Sequence, residues 1–115
     1  MKKMFATFSY ALNGLKIFWK EERNGRIHLI SAFLVILLGI FTDLNAIEWI
    51  IVLSASGLVI TAELFNTTIE AIMDFISPEK HVKIKKIKDL AAAGVLITAI
   101  TAFVLGLILF VPKLL

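Results

Sequence analysis

Apolar residues fill three long stretches of this chain, and polar residues gather in the breaks between them. With His28 taken as neutral, 27–42 is a charge-free run of 16 residues, slightly short for a bilayer core of about 30 Å. A polar break, Thr42-Asp43-Leu44-Asn45, follows it. Asn45 and Glu48 have the spacing of a capping box, so a second helix is expected over 46–76. Thirty-one residues would extend about 46 Å, longer than the hydrocarbon core, so its far end can reach or pass the interface. Ser77-Pro78 closes that helix, and 90–111 forms a third apolar run, closed by Pro112. Residues 4–20 have another pattern: Phe5, Phe8, Leu12, Leu15 and Trp19 recur at helical spacing, as in an amphipathic helix lying in a membrane surface. The fold class expected is all-α and integral to a membrane, with three transmembrane helices plus an N-terminal surface helix, in one domain over 1–115.

Composition agrees with that reading. The chain is 59% hydrophobic with a mean hydropathy of +0.92, well above the usual share for a soluble domain. It has no cysteine, which excludes a disulfide framework and thiolate metal sites. No small-residue cleavage site follows an early apolar core, so a removable leader is not expected. Of the twelve Lys and Arg residues, six lie in 2–26, five in 80–88, and only Lys113 at the far end. The positive-inside rule then places the N-terminal segment and the 77–89 loop in the cytoplasm. Nothing in the charge pattern points to nucleic acid.

The second apolar stretch carries four polar residues where a span should be greasy: Glu63, Asn66, Glu70 and Asp74. At about 100° per residue they share one helix face. Ionisable groups at such depth are costly and indicate function. Around the same interface the sequence gathers Glu21 and Glu22, then Glu79, Lys80 and His81, then Lys88 and Asp89. Carboxylates suit magnesium and lysines suit phosphate oxygens. Together these are the parts that phosphoryl transfer needs. No Walker or kinase glycine loop and no Rossmann fingerprint is present, so a nucleotide site would be of another kind. His28 reads as an interfacial polar residue, the remaining lysines of 80–88 as a topology signal and headgroup contact, and Ala91 to Gly94 as small residues for close helix packing.

The string Glu63-Leu64-Phe65-Asn66-Thr67-Thr68-Ile69-Glu70-Ala71-Ile72-Met73-Asp74, with His81, Lys88-Asp89-Leu90-Ala91-Ala92-Ala93 and Glu22-Arg23-Asn24 followed by Arg26 and His28, resembles the signature of the prokaryotic diacylglycerol kinase family, which includes undecaprenol kinases. The resemblance implies an ATP-dependent kinase of a lipid alcohol, diacylglycerol or undecaprenol, in the bacterial cytoplasmic membrane. It also implies a homotrimer whose active sites are shared between neighbours. Carried over, Glu63 would be the catalytic base and Asn66 would support its geometry. Glu22 and Glu70 would hold magnesium. Lys88 would contact phosphate and Asp89 would place the nucleotide, with Tyr10, Glu79, Lys80 and His81 lining the ATP site. Where the family pattern has an arginine near the N-terminus, this chain has Lys3, which lacks the bidentate fork. A competing function is a small oligomeric channel or proton-coupled transporter, in which membrane acids form an ion path. Against it, 90–111 carries no charge, and the polar residues sit on one side.

Overall fold

The structure is a computed structural model that describes residues 1–79 and 81–115. Four helices follow one another: α1 (Lys2–Glu21), α2 (Arg23–Phe41), α3 (Ala46–Ile76) and α4 (Val82–Leu114). Helices α2, α3 and α4 are each long and apolar enough to cross a membrane. Helix α3 is the middle element, packing most extensively on α4 and also on α2. The molecule measures 50 × 42 × 21 Å. Its long axis matches the roughly 50 Å of 33-residue α4, and its breadth comes from α1 running off to the side.

The turn between α2 and α3 forms as its residues demand. Asp43 takes φ 57, a left-handed conformation that aspartate tolerates better than most residues. Asn45 Oδ1 accepts from the Glu48 backbone N–H at 2.9 Å, and the Asn45 N–H donates to Glu48 Oε1 at 3.0 Å. Glu48 also meets Lys113 Nζ at 3.2 Å, so the start of α3 is tied to the end of α4. Beside this tie lies the apolar core: Leu44, Val52 and Phe110, flanked by Val35, Leu38, Trp49 and Leu109. Trp49 is thus packed inward as well as sitting near an interface. Its ring lies where a methyl on Gly39 would have to go, 2.9 Å away.

Several helix boundaries differ from the reading of hydropathy. Residues 82–89, expected in the 77–89 loop, are the first two turns of α4. Lysine is a good helix former, and the His81 side chain caps the new start, with Nδ1 accepting from the Lys83 N–H at 3.0 Å. Hydropathy marks the part of a helix soluble in lipid, not where its hydrogen bonding starts. Nor does Pro112 close α4, which runs to Leu114. A proline in the last turn forfeits a single backbone bond and leaves the rest of the ladder intact. Likewise α2 starts at Arg23, upstream of the apolar run, and α1 covers Lys2–Glu21 rather than 4–20.

Helix α1 leaves its apolar stripe uncovered: Phe5, Phe8, Leu12, Leu15 and Trp19 are all exposed. Such a face matches a helix bedded in the membrane surface. Its one anchor is Phe18, 2% exposed, whose ring sits over Gly25 of α2. Arg26 completes the joint. Its Nη1 donates to the carbonyls of Trp19 and Lys20 at 2.9 and 3.0 Å, satisfying acceptors that the end of α1 would otherwise leave bare. The small run Ala92 to Gly94 is exposed and makes no close approach within the chain; a methyl on Gly94 would meet nothing within 4 Å.

A methyl at Gly25 would stand 2.7 Å from the Phe18 ring, which is too enclosed to swing away. Gly25→Ala should therefore cost about 1–3 kcal/mol and loosen α1. Gly14→Ala, with open space around the new methyl, should be neutral or stabilising by up to about 1 kcal/mol. Unfolding in detergent, with proteolysis at 20–24 as the local readout, checks both. Equal stability of the two variants would deny the joint.

Candidate functional site

The acidic face of α3 is where polar groups enter the interior. Glu63 is 4% and Asn66 7% exposed, and they are the buried polar side chains of the described residues. Each next turn outward is wetter: Glu70 is half-buried and Asp74 exposed. Burial of an ionisable group without partners is expensive, so the surroundings of Glu63 decide what it can do. From α2, His28 Nε2 lies 3.8 Å from Glu63 Oε2. From α3, Asn66, one turn from each acid, donates through Nδ2 to Glu70 Oε1 at 3.3 Å. The carboxylates of Glu22 and Glu70 are both near enough to act on Glu63 by direct Coulomb repulsion.

Glu22 reaches this neighbourhood because the chain breaks there. It stands between α1 and α2 in extended conformation, φ −112 and ψ 112. It occupies the N-cap of α2, yet its side chain makes no capping bond and stays available. Glu21, one residue earlier, belongs to α1 and is exposed. Among the described residues neither Glu22 nor Glu70 is ion-paired to a lysine or arginine. Three carboxylates with one imidazole leave an excess of negative charge that a divalent cation would offset. No group of three His, Asp or Glu side chains among the described residues is arranged to hold a metal; magnesium typically takes one or two carboxylates and fills its shell with water and phosphate. The buried Asn66 Oδ1 has no hydrogen-bond partner and is free to accept one.

Toward the water, α3, the 77–81 connection and the start of α4 enclose a cleft of about 480 Å³, lined by Asp74, Ser77, Glu79, His81, Lys85 and Lys88 among others. Its size is that of a small-molecule site. Lys88 Nζ bonds Asp74 Oδ1 at 2.5 Å, which holds the ammonium at the cleft wall. Since His81 Nδ1 is occupied as the α4 cap, its other ring nitrogen remains for a ligand. Asp89 pairs instead with Lys85 at 2.6 Å and does not line the cleft. Tyr10 is 75% exposed, twelve residues and about 18 Å along α1 from Glu22. Lys80 lies outside the described residues.

Of the residues read from sequence, the fold buries Glu63 and Asn66, joins Asn66 to Glu70 and puts Glu22 at the nearby break between α1 and α2, while Glu79, His81 and Lys88 line the cleft. It leaves Tyr10 and Asp89 apart from these within a single chain. His28, expected as an interfacial polar residue, instead faces the buried acid. The signal was present: it is the one titratable group in the 27–42 run, and such groups usually face a bundle interior. Lys85, expected as a topology signal, both lines the cleft and holds Asp89.

The family model described as prokaryotic diacylglycerol kinase matches residues 9–110. The chain is 34% identical over 114 residues to the undecaprenol kinase of Bacillus subtilis (strain 168), spanning 99% of this chain and 93% of that one. To the diacylglycerol kinase of Helicobacter pylori (strain J99) it is 35% identical over 106 residues, 91% of this chain and 83% of the other. To that of Escherichia coli (strain K12) it is 32% identical over 100 residues, 87% and 82%.

The Asp74–Lys88 pair is open to water on the Asp74 side, so it should order the lysine more than it stabilises the fold. A double-mutant cycle with Asp74→Ala and Lys88→Ala, followed by detergent unfolding, is expected to give a coupling of about 1 kcal/mol or less. A coupling above about 3 kcal/mol would mean a desolvated pair and a closed cleft.

Proposed function

The chain belongs to the prokaryotic diacylglycerol kinase family and is a membrane-embedded lipid kinase; we propose that it uses magnesium and ATP to phosphorylate undecaprenol or diacylglycerol at the inner leaflet of the bacterial cytoplasmic membrane. One observation carries the reading: a buried acid and amide, Glu63 and Asn66, lie on the helix whose outer end, at Asp74, lines a cleft of small-molecule size. Covered nearly end to end by an undecaprenol kinase, the chain leans toward the isoprenoid alcohol. The channel alternative finds no support, since no acid lies between Glu48 and Glu63 on α3 and α4 is uncharged from Leu90 to Pro112.

The chemistry divides by depth. Glu63, shielded from water, acts as the base for the lipid hydroxyl, taking its proton as the alcohol oxygen forms a bond to the γ-phosphorus. The bond from that phosphorus to the bridging oxygen breaks, and ADP leaves. Asn66 holds Glu70 through its Nδ2 beside Glu63 and so supports the catalytic geometry. Glu22 and Glu70 would hold the magnesium, which when bound offsets phosphate charge. Lys88 donates to phosphate oxygens as a point charge. Glu79, Lys80 and His81 line the nucleotide, with Tyr10 and Asp89 completing that wall. Because Tyr10 and Asp89 turn away from the cleft of their own chain, they serve best across the boundary between subunits, in a homotrimer with shared sites. The single domain is oriented with its N-terminus and the 77–81 connection in the cytoplasm, where nucleotide and magnesium are supplied.

Glu63→Gln keeps the shape of the side chain and removes the base. Turnover of labelled ATP into labelled lipid should fall by about 10²–10⁴-fold, while binding of a fluorescent ATP analogue stays within about threefold of wild type. Glu70→Gln should instead raise the magnesium concentration needed for half-maximal rate. Wild-type turnover in the Glu63 variant would refute the base assignment, and an unchanged magnesium requirement would refute the ligand assignment.

A further inference from the structure

His28 borders two features at once. Its Nε2 is 3.8 Å from Glu63 Oε2, and its ring forms one end of a groove of about 280 Å³ among α2, α3 and α4 that also takes in Ser31, Ala32, Ser56, Ala99 and Ala102. Ser56 stands seven residues before Glu63, two turns or about 10 Å further into the membrane. The groove therefore leads from His28, the neighbour of the carboxylate, toward the hydrocarbon. At 3.8 Å the imidazole and the carboxylate do not hydrogen-bond each other. Yet both are largely withdrawn from water, Glu63 almost wholly so, so a polar group seated between them would be shielded from competing solvent. A hydroxyl oxygen set at ordinary hydrogen-bond distance from both atoms satisfies the two at once. It donates its hydrogen to Glu63 Oε2 and accepts from the Nε2–H.

Building on the kinase reading above, we propose that His28 is the positioning residue for the acceptor: it holds the lipid hydroxyl against Glu63, with the hydroxyl's own chain leading off into the groove. The imidazole fixes the oxygen by its lone pair, so that its hydrogen points at the base and the remaining lone pair is turned up toward the nucleotide cleft. In the transfer itself His28 gains and loses nothing. The proton passes to Glu63, the oxygen bonds to the γ-phosphorus, and ADP carries off the electrons of the broken P–O bond. The chemical class recognised is an alcohol at the head of a hydrocarbon chain, whether isoprenoid or diacylglycerol.

The test uses the full chain in mixed micelles, with undecaprenol or a diacylglycerol as acceptor and ATP varied separately. His28→Ala should raise the KM for the lipid by about tenfold and leave the KM for ATP and the binding of a fluorescent ATP analogue unchanged. His28→Gln, which keeps an N–H donor at similar reach, should stay within about threefold of wild type, and His28→Leu should behave like alanine. A purely structural role would move lipid and nucleotide constants together, and would not separate glutamine from leucine. Equal lipid KM values in the glutamine and leucine variants, or parallel changes for ATP, overturn the proposal. Should the alanine variant not fold, the glutamine–leucine comparison decides alone. Running both alcohols shows which one depends on His28. Absence of any labelled lipid from the wild-type protein would be a different failure, sinking the kinase reading and this proposal with it.

Discussion

A carboxylate held out of water inside a membrane helix is the constraint around which this molecule is arranged. Glu63 is costly to bury, and α3 bears that cost in a graded way. Its acids pass from enclosed Glu63 through half-buried Glu70 to open Asp74 over three turns. One helix thereby crosses from the phase where a lipid alcohol lives to the phase where nucleotide lives. The groups that soften the burial come from elsewhere in the chain: an imidazole from α2 and an amide one turn along. Each needs α2 and α3 to keep a fixed register.

That register is set at the opposite end of the bundle. The Asn45–Glu48 capping box starts α3 at a defined residue, Trp49 fills the space over Gly39, and Glu48 reaches across to Lys113. Counting away from the Gly39–Trp49 contact, His28 lies 11 residues back along α2 and Glu63 14 residues on along α3. At 1.5 Å per residue these are about 16 and 21 Å, close enough for two extended side chains to meet. The apolar cluster of Leu44, Val52 and Phe110 thus acts on the site from a distance. It does so by preventing the helices from sliding, not by touching anything reactive.

Much of this was legible from the order of residues, because it is local. The capping box, the three apolar runs and the shared face of Glu63, Asn66, Glu70 and Asp74 need only helical spacing to be read. The first two turns of α4 were not, since charged residues interrupt hydropathy without interrupting a helix. The pairing of His28 with Glu63 was half legible: a lone titratable group in an apolar run points inward, but the sequence does not name its partner. Helices α2 and α4 are apolar all round where they cross the membrane, so their periodicity carries little information on which face turns inward. Phe18 over Gly25 was missed for a related reason: the visible stripe on α1 is its exposed face, and the one residue that docks the helix lies off that stripe.

On the proposed reading the two substrates would meet different degrees of completion in a single chain. The acceptor side would be the more complete, since Glu63, Asn66 and His28 come from two adjacent helices whose register the distal core fixes. The donor side would be open. Its cleft has Lys88 and His81 in place, but Asp89 is turned to Lys85 and Tyr10 stands far out on α1. Helix α1 itself is docked on α2 through Phe18 and Arg26. In the proposed trimer a neighbouring copy would supply what is lacking. Such an arrangement would tie the chemistry to assembly: the base could bind its alcohol in any subunit, but only packed subunits would carry a finished nucleotide wall. A phosphoryl group would then not be exposed to water beside a half-built site, where the base nearest to hand would activate the wrong acceptor.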